Sequence, residues 1–336
     1  ANNVTPTLRK RSETMPAIIT HDFFGRDVYD TLYTTIGGSK DEADAFLLGN
    51  QGPDPLFYCV VSPSLAKYNR LGSKLHHENP AEVLAAFKSS LSVLSESEEA
   101  IGRAYALGFL CHYLLDSAMH PFVYYHEYTI CDAGEPDLDR SHASEVHAVI
   151  ESELDELVLY NKRQQTISNF NPSTAILKAS DEVLRVISKM YAYVAMVVFG
   201  ATIPQDLFER SVRDFRLVQR AFYSPSGMKR AVVGTLERTL RPHSFFQSMS
   251  HRPIELHEST FDNRNHHPWK NPFTDEVRTD GFWDIYHQAL SNAKRSVLVF
   301  DKEDFDIHSA HTLTKDLNFS GEPTVAVVVA VSDLED

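Results

Sequence analysis

Apolar residues recur every three or four positions along most of the chain, and that period predicts helices. The run "AIITHDFFGRDVYDTLY" from Ala17 shows it, with Thr20 placed to cap. "GNQGPDPLFY", from Gly49 to Tyr58, is broken by glycines and prolines and reads as a loop. An amphipathic helix is predicted over residues 80 to 95, entered at Pro80. Residues 97 to 125 predict a long helix, apolar almost all round at its centre, the pattern of a buried central helix. Helical spacing returns over 141 to 160, near 173 to 199, 204 to 222 and 225 to 240, and again over 279 to 298. Residues 241 to 280 are rich in proline, aromatics and histidine and predict a long loop, a frequent form for a lid. "TVAVVVAV", from Thr324 to Val331, is β-branched and strand-like.

These elements predict an all-α protein. The expected organisation is a disordered leader over 1 to 14, a single helical domain over 15 to 310, and a C-terminal extension of unassigned structure over 311 to 336. The bulk numbers fit a soluble globular chain: 43% apolar and 23% charged residues in 336. A net charge of -14 argues against a standing nucleic-acid partner, because phosphate backbones need a basic face. It leaves room for small or lipid phosphoesters, since bound metal supplies local positive charge. Cys59, Cys111 and Cys131 are too few and odd in number for a disulfide framework, so a reducing, cytoplasmic location is expected. No stretch is long and apolar enough to predict a transmembrane helix.

The chemistry lies in the central helix. "CHYLLDSAMHPF" places His112, Asp116 and His120 four residues apart, about 40° from one to the next around a helix, so they share one stripe. A carboxylate among Leu110, Leu114, Leu115 and Met119 costs several kcal/mol unless it is paired or binds a cation. Imidazoles beside it are suitable metal ligands. "HAVIESELD" repeats the device with His147, Glu151 and Asp155. A lone His-x-x-x-Asp pair is usually just hydrogen-bonded, but two such stripes point to metal. Asp155 by itself reads as an outer or surface acid, whose removal matters little. "THDF" adds His21 and Asp22, and "KLHHENP" adds His76 and His77 without choosing between them. His126 and His142 are alternates. Asp54, in the rigid Gly-Pro loop, is either a turn residue or a well-mounted ligand or base.

In order, His21, Asp54, His76, His112-x-x-x-Asp116, His120 and His147-x-x-x-Glu151 resemble the zinc-dependent phospholipase C family, whose superfamily includes single-strand-specific zinc nucleases. The resemblance covers about residues 15 to 160. It implies a multi-helix bundle with an internal metal cluster. One zinc would be held by Asp54, His76, His112 and Asp116, and another by His120, His147 and Glu151. Asp116 would also reach a third, with His21 and the chain's own terminal amine. Secreted relatives begin at the metal site. Here about twenty residues precede His21, so two zinc ions are expected, and a third only if the leader is removed. His120 also follows Asp116 more closely than in those relatives, which keeps it on the same helix.

The expected activity is hydrolysis of a phosphodiester by metal-activated water, with Asp54 orienting that water or taking its proton. Phe23, Phe24, Phe57 and Tyr58 are candidates to line the mouth for a lipid. Trp269, His266, His267 and Arg252 are candidates to hold the substrate from the 241 to 280 loop, or simply to pack that loop down. Three alternatives stand beside this: a phosphohydrolase of nucleotides or other small phosphoesters, an unrelated one centred on His21-Asp22, and a metal-stabilised scaffold without turnover.

Overall fold

The computed structural model describes residues 17–135, 138–238, 247 and 250–324. Twelve α-helices are described: α1 Ile18–Ile36, α2 Lys40–Gly49, α3 Arg70–His77, α4 Pro80–Ser89, α5 Glu96–Cys131, α6 Ala143–Arg163, α7 Pro172–Ala175, α8 Asp181–Phe199, α9 Leu207–Phe222, α10 Met228–Arg238, α11 Phe282–Phe300 and α12 Ile307–Thr314. The only sheet among the described residues is a two-stranded hairpin, Trp269–Lys270 with Val277–Arg278. The all-α expectation holds.

The long apolar helix is α5, and it forms the axis of the fold. Its 36 residues span about 54 Å at 1.5 Å per residue. It runs six residues further than the predicted end at 125, and Pro121 lies inside it. Around it pack α1, α2, α6, α8 and α11. The closest approach is to α2, through glycines. A Cβ on Gly108 would lie 2.1 Å from Phe46 O, and one on Gly49 would lie 2.4 Å from Tyr105 O. Only hydrogen at both positions lets the two backbones meet.

Other boundaries moved for local reasons. The 80 to 95 segment is α4 followed by a short 3-10 turn, Ser90–Val93. The 173 to 199 segment breaks after α7, where Leu177 is left-handed at φ 57°. The loop predicted at 49 to 58 becomes turns leading into a 3-10 helix, Asp54–Val61. Helices α2, α3 and α12 were not anticipated. The capping box of α2, Ser39 with Glu42, was a legible start signal. The expected leader and, beyond Thr324, the strand-like C-terminal run lie outside the described residues, as does part of the 241 to 280 loop. None of the described helices is long and apolar enough to cross a membrane.

Candidate metal centre

Five elements deliver eight side chains to one buried place. The stripe on α5 supplies His112, Asp116 and His120, and α6, packed beside it, supplies His147 and Glu151. His21 comes from the first turn of α1, Asp54 from the start of the 3-10 helix, and His76 from α3. Their ligand atoms gather into three groups, each within 4.8 Å: His21, His112 and Asp116; Asp54, His76 and His112; His120, His147 and Glu151. The turn carrying Asp54 is fitted to His112. Gly52 has φ +51°, and a Cβ there would lie 2.1 Å from His112 Cδ2. Its carbonyl sits 3.2 and 3.0 Å from the Tyr105 and Tyr191 hydroxyls.

Four of the imidazoles share one arrangement. His76 Nδ1 donates to Gly72 O at 2.8 Å, His112 Nδ1 to Asn50 O at 3.1 Å, and His120 Nδ1 to Phe319 O at 2.7 Å. His147 Nδ1 donates to Glu127 Oε2 at 2.8 Å. A carbonyl can only accept, so the proton belongs on Nδ1 and the Nε2 lone pair faces inward. What each lone pair meets is a carboxylate. His76 Nε2 is 3.0 Å from Asp54 Oδ1, His112 Nε2 is 3.2 Å from Asp116 Oδ2, and His147 Nε2 is 3.2 Å from Glu151 Oε1. His120 Nε2 is 3.5 Å from Glu151 Oε1. Lone pair against carboxylate is repulsive unless a cation or a second proton lies between them. His112 Nε2, Asp54 Oδ2 and Glu151 Oε2 are buried and have no hydrogen-bond partner among the described residues. Orphaned inward atoms with fixed outer partners fit a metal site. Nitrogen and carboxylate donors of this kind suit zinc.

The charges show what stands in for the cation when none is bound. Burial alone would raise the Asp116 carboxyl, yet His112, His120 and His21 together hold it well below the carboxylate range. Burial would lower His147, but Glu151 and Glu127 outweigh it and lift the ring to about 10. His147 therefore keeps its second proton at neutral pH in the metal-free centre, and metal binding there must release it.

His21 is the exception. Its Nε2 lies 3.0 Å from Asp116 Oδ1, and its Nδ1 has no hydrogen-bond partner among the described residues. It is placed instead through its helix. Asp155 Oδ2 accepts from Ile19 N at 2.9 Å, and its Oδ1 accepts from Thr20 N and Thr20 Oγ1, both at 2.7 Å. His251 Nε2 lies 2.9 Å from the same carboxylate. Asp155 is fully buried and is no surface acid. It caps α1 from a neighbouring helix.

Several candidates go elsewhere. Asp22 is buried against the Arg26 guanidinium at 2.6 Å, which splits the His21-Asp22 doublet and removes the reading centred on it. His77 Nδ1 turns to Ser73 O, while His76 faces Asp54. His142 pairs with Asp139 at the start of α6. His126 packs among Phe122, Tyr125 and Phe261, where burial pushes its pKa down to about 4. Phe23, Phe24 and Tyr58 are buried in the core. Phe57 is the mouth candidate at the centre, its ring stacked 5.1 Å from His76.

Trp269 packs its loop onto the bundle. It is 3% exposed, packs on Phe122 and Tyr125, and donates from Nε1 to Asp280 O. Those two residues sit about 200° and 140° around α5 from His120, away from the metal stripe. Arg252 is tied to Glu153 and Glu156, and His266 and His267 are exposed. Trp269→Ala should therefore lower stability by about 3–5 kcal/mol and leave kcat, KM and zinc content alone. A change in either kinetic constant with stability intact would restore the lid reading.

Residues missed in the sequence are the outer partners. Glu127 is buried and lies seven residues after His120, two turns on along the same face. That spacing was a usable signal.

No curated protein and no solved structure matches the chain. A family model described as zinc dependent phospholipase C matches residues 20–198, more than half of the chain and all eight side chains of the centre. With the helical fold and the buried histidine–carboxylate groups, that match places the chain in the zinc-dependent phospholipase C family.

Proposed function

We propose that the protein is a zinc-dependent phosphodiester hydrolase acting on a lipid phosphoester, with two zinc ions in its resting centre. One observation carries this: four Nε2 lone pairs, each oriented by a fixed partner on Nδ1, converge on carboxylates at 3.0 to 3.5 Å. Asp54, His76, His112 and Asp116 would hold one ion, and His120, His147 and Glu151 the other. Zinc in such a place polarises phosphate oxygens and lowers the pKa of a bound water to about 7. His21 and Asp116 offer only part of a third site.

The chain's own part is to orient and to move a proton. One Asp54 oxygen, Oδ1, faces His76 Nε2 at 3.0 Å, and the other, Oδ2, has no hydrogen-bond partner among the described residues. That oxygen is free to orient an attacking water and accept its proton. Phe57, stacked on His76, gives the site an apolar wall on the Asp54 side.

The purified protein should carry two equivalents of zinc and hydrolyse a panel of glycerophospholipids or p-nitrophenyl phosphodiesters. Asp54→Asn, nearly isosteric, should keep the fold and lower that hydrolysis by about 10²- to 10⁴-fold. Less than one equivalent of transition metal, or full activity in Asp54→Asn, overturns the reading. Faster turnover of nucleotides than of lipids would move the substrate class and leave the centre as it stands.

A further inference from the structure

The carbonyl that orients His120 belongs to Phe319, more than a hundred residues beyond the matched family segment. It is carried by a short closed loop. Leu317 and Pro323 form an antiparallel bridge at its neck. Inside it, Asn318 Oδ1 accepts from Ser320 N at 2.9 Å and from Glu322 N at 3.0 Å. Gly321 makes the turn at φ +70°, so close to α5 that a Cβ would lie 2.5 Å from Ser117 O and 2.6 Å from Pro121 Cγ. The Tyr113 hydroxyl lies 2.7 Å from Leu317 O and holds the neck to the same helix.

Phe319 joins two of the ligand groups. Its carbonyl accepts from His120 Nδ1, and its N–H donates to His76 O at 3.1 Å. Its ring, 1% exposed, lies 5.0 Å from the His76 ring and 5.7 Å from the His112 ring. We infer that this strap, Leu317 to Pro323, is a positioning element of the metal centre: the Phe319 carbonyl sets the tautomer and direction of His120, and so governs the ion held with His147 and Glu151. The physical reason is local. Without that carbonyl, the His120 Nδ1–H loses its acceptor. The proton is then no longer confined to Nδ1, and the Nε2 lone pair is no longer fixed inward. The inference rests on His120 being a ligand.

The test uses the full chain, stripped of zinc with a chelator and titrated back against a chromophoric competitor, with the melting temperature of the metal-free form measured alongside. Gly321→Ala should push the strap off α5 and weaken one zinc by about 10- to 100-fold, the usual effect of losing an outer partner. Phe319→Leu keeps the carbonyl and should retain affinity while lowering the melting temperature. If Gly321→Ala does not fold, Tyr113→Phe loosens the neck more gently and should weaken the same ion to a smaller degree. Wild-type affinities in Gly321→Ala, or in Tyr113→Phe where that stands in, with or without lower stability, overturn the inference: the strap then only packs. His120→Ala separates the underlying reading. It should lose one ion, and if it keeps both, His120 is no ligand and the strap inference falls with it.

Discussion

Asp116→Ala is expected to leave the protein without most of its zinc and destabilised by about 3–5 kcal/mol, the range for breaking a buried charge pair. Asp116 is 5% exposed and faces three imidazoles: His21 Nε2 at 3.0 Å, His112 Nε2 at 3.2 Å and His120 Nδ1 at 4.0 Å. The His21 and His112 ring centroids are only 4.4 Å apart. Without the carboxylate, His21 and His112 lose their nearest counter-charge, and only Asp54 and Glu151 remain to balance a bound cation. Buried polar rings left without that partner are costly in a packed interior. His112→Ala should behave alike, since His112 has no exposed surface and belongs to two of the three groups. Elemental analysis and urea denaturation check this together. Full zinc in both variants, with only the midpoint lowered, would make the stripe a structural ion pair, and full zinc with a wild-type midpoint would remove it from the centre altogether.

A second large effect is expected from Asp155→Ala, at about 3–5 kcal/mol, measured on the metal-free protein by urea denaturation. The carboxylate accepts from two backbone amides and a hydroxyl at the start of α1, and it pairs with His251. Each buried donor left alone costs about 1–3 kcal/mol. Removing the cap should also loosen the first turn of α1, where His21 sits. Asp155→Asn keeps one accepting oxygen and should recover part of the loss. A metal-free midpoint unchanged in Asp155→Ala would return Asp155 to the minor role that its sequence position suggested.

The stripes on α5 and α6 were readable because they repeat with the helix itself. Four-residue spacing within one segment places His112, Asp116 and His120 together whatever packs around them. An apolar setting then makes an unpaired acid improbable. Glu127 falls on the same helical period, seven residues after His120. His21, Asp54 and His76 sit on three further elements, and their place beside the stripes came from resemblance in order, not from spacing. The choice of His76 over His77 needed α3 in place, since neighbours on a helix point about 100° apart and only packing says which side faces in.

By itself the sequence determined the fold class, the buried central helix and the two histidine–carboxylate stripes, because all three depend on local period and side-chain type. Tertiary structure alone decided what surrounds them. Asp155 became a cap because α6 passes the start of α1. Trp269 became packing because its hairpin lies on the far side of α5. Asn50 and Phe319 became partners of His112 and His120 through their backbone carbonyls. Every residue carries a carbonyl, so no residue type marks that role, and only the path of the chain brings the right one within reach.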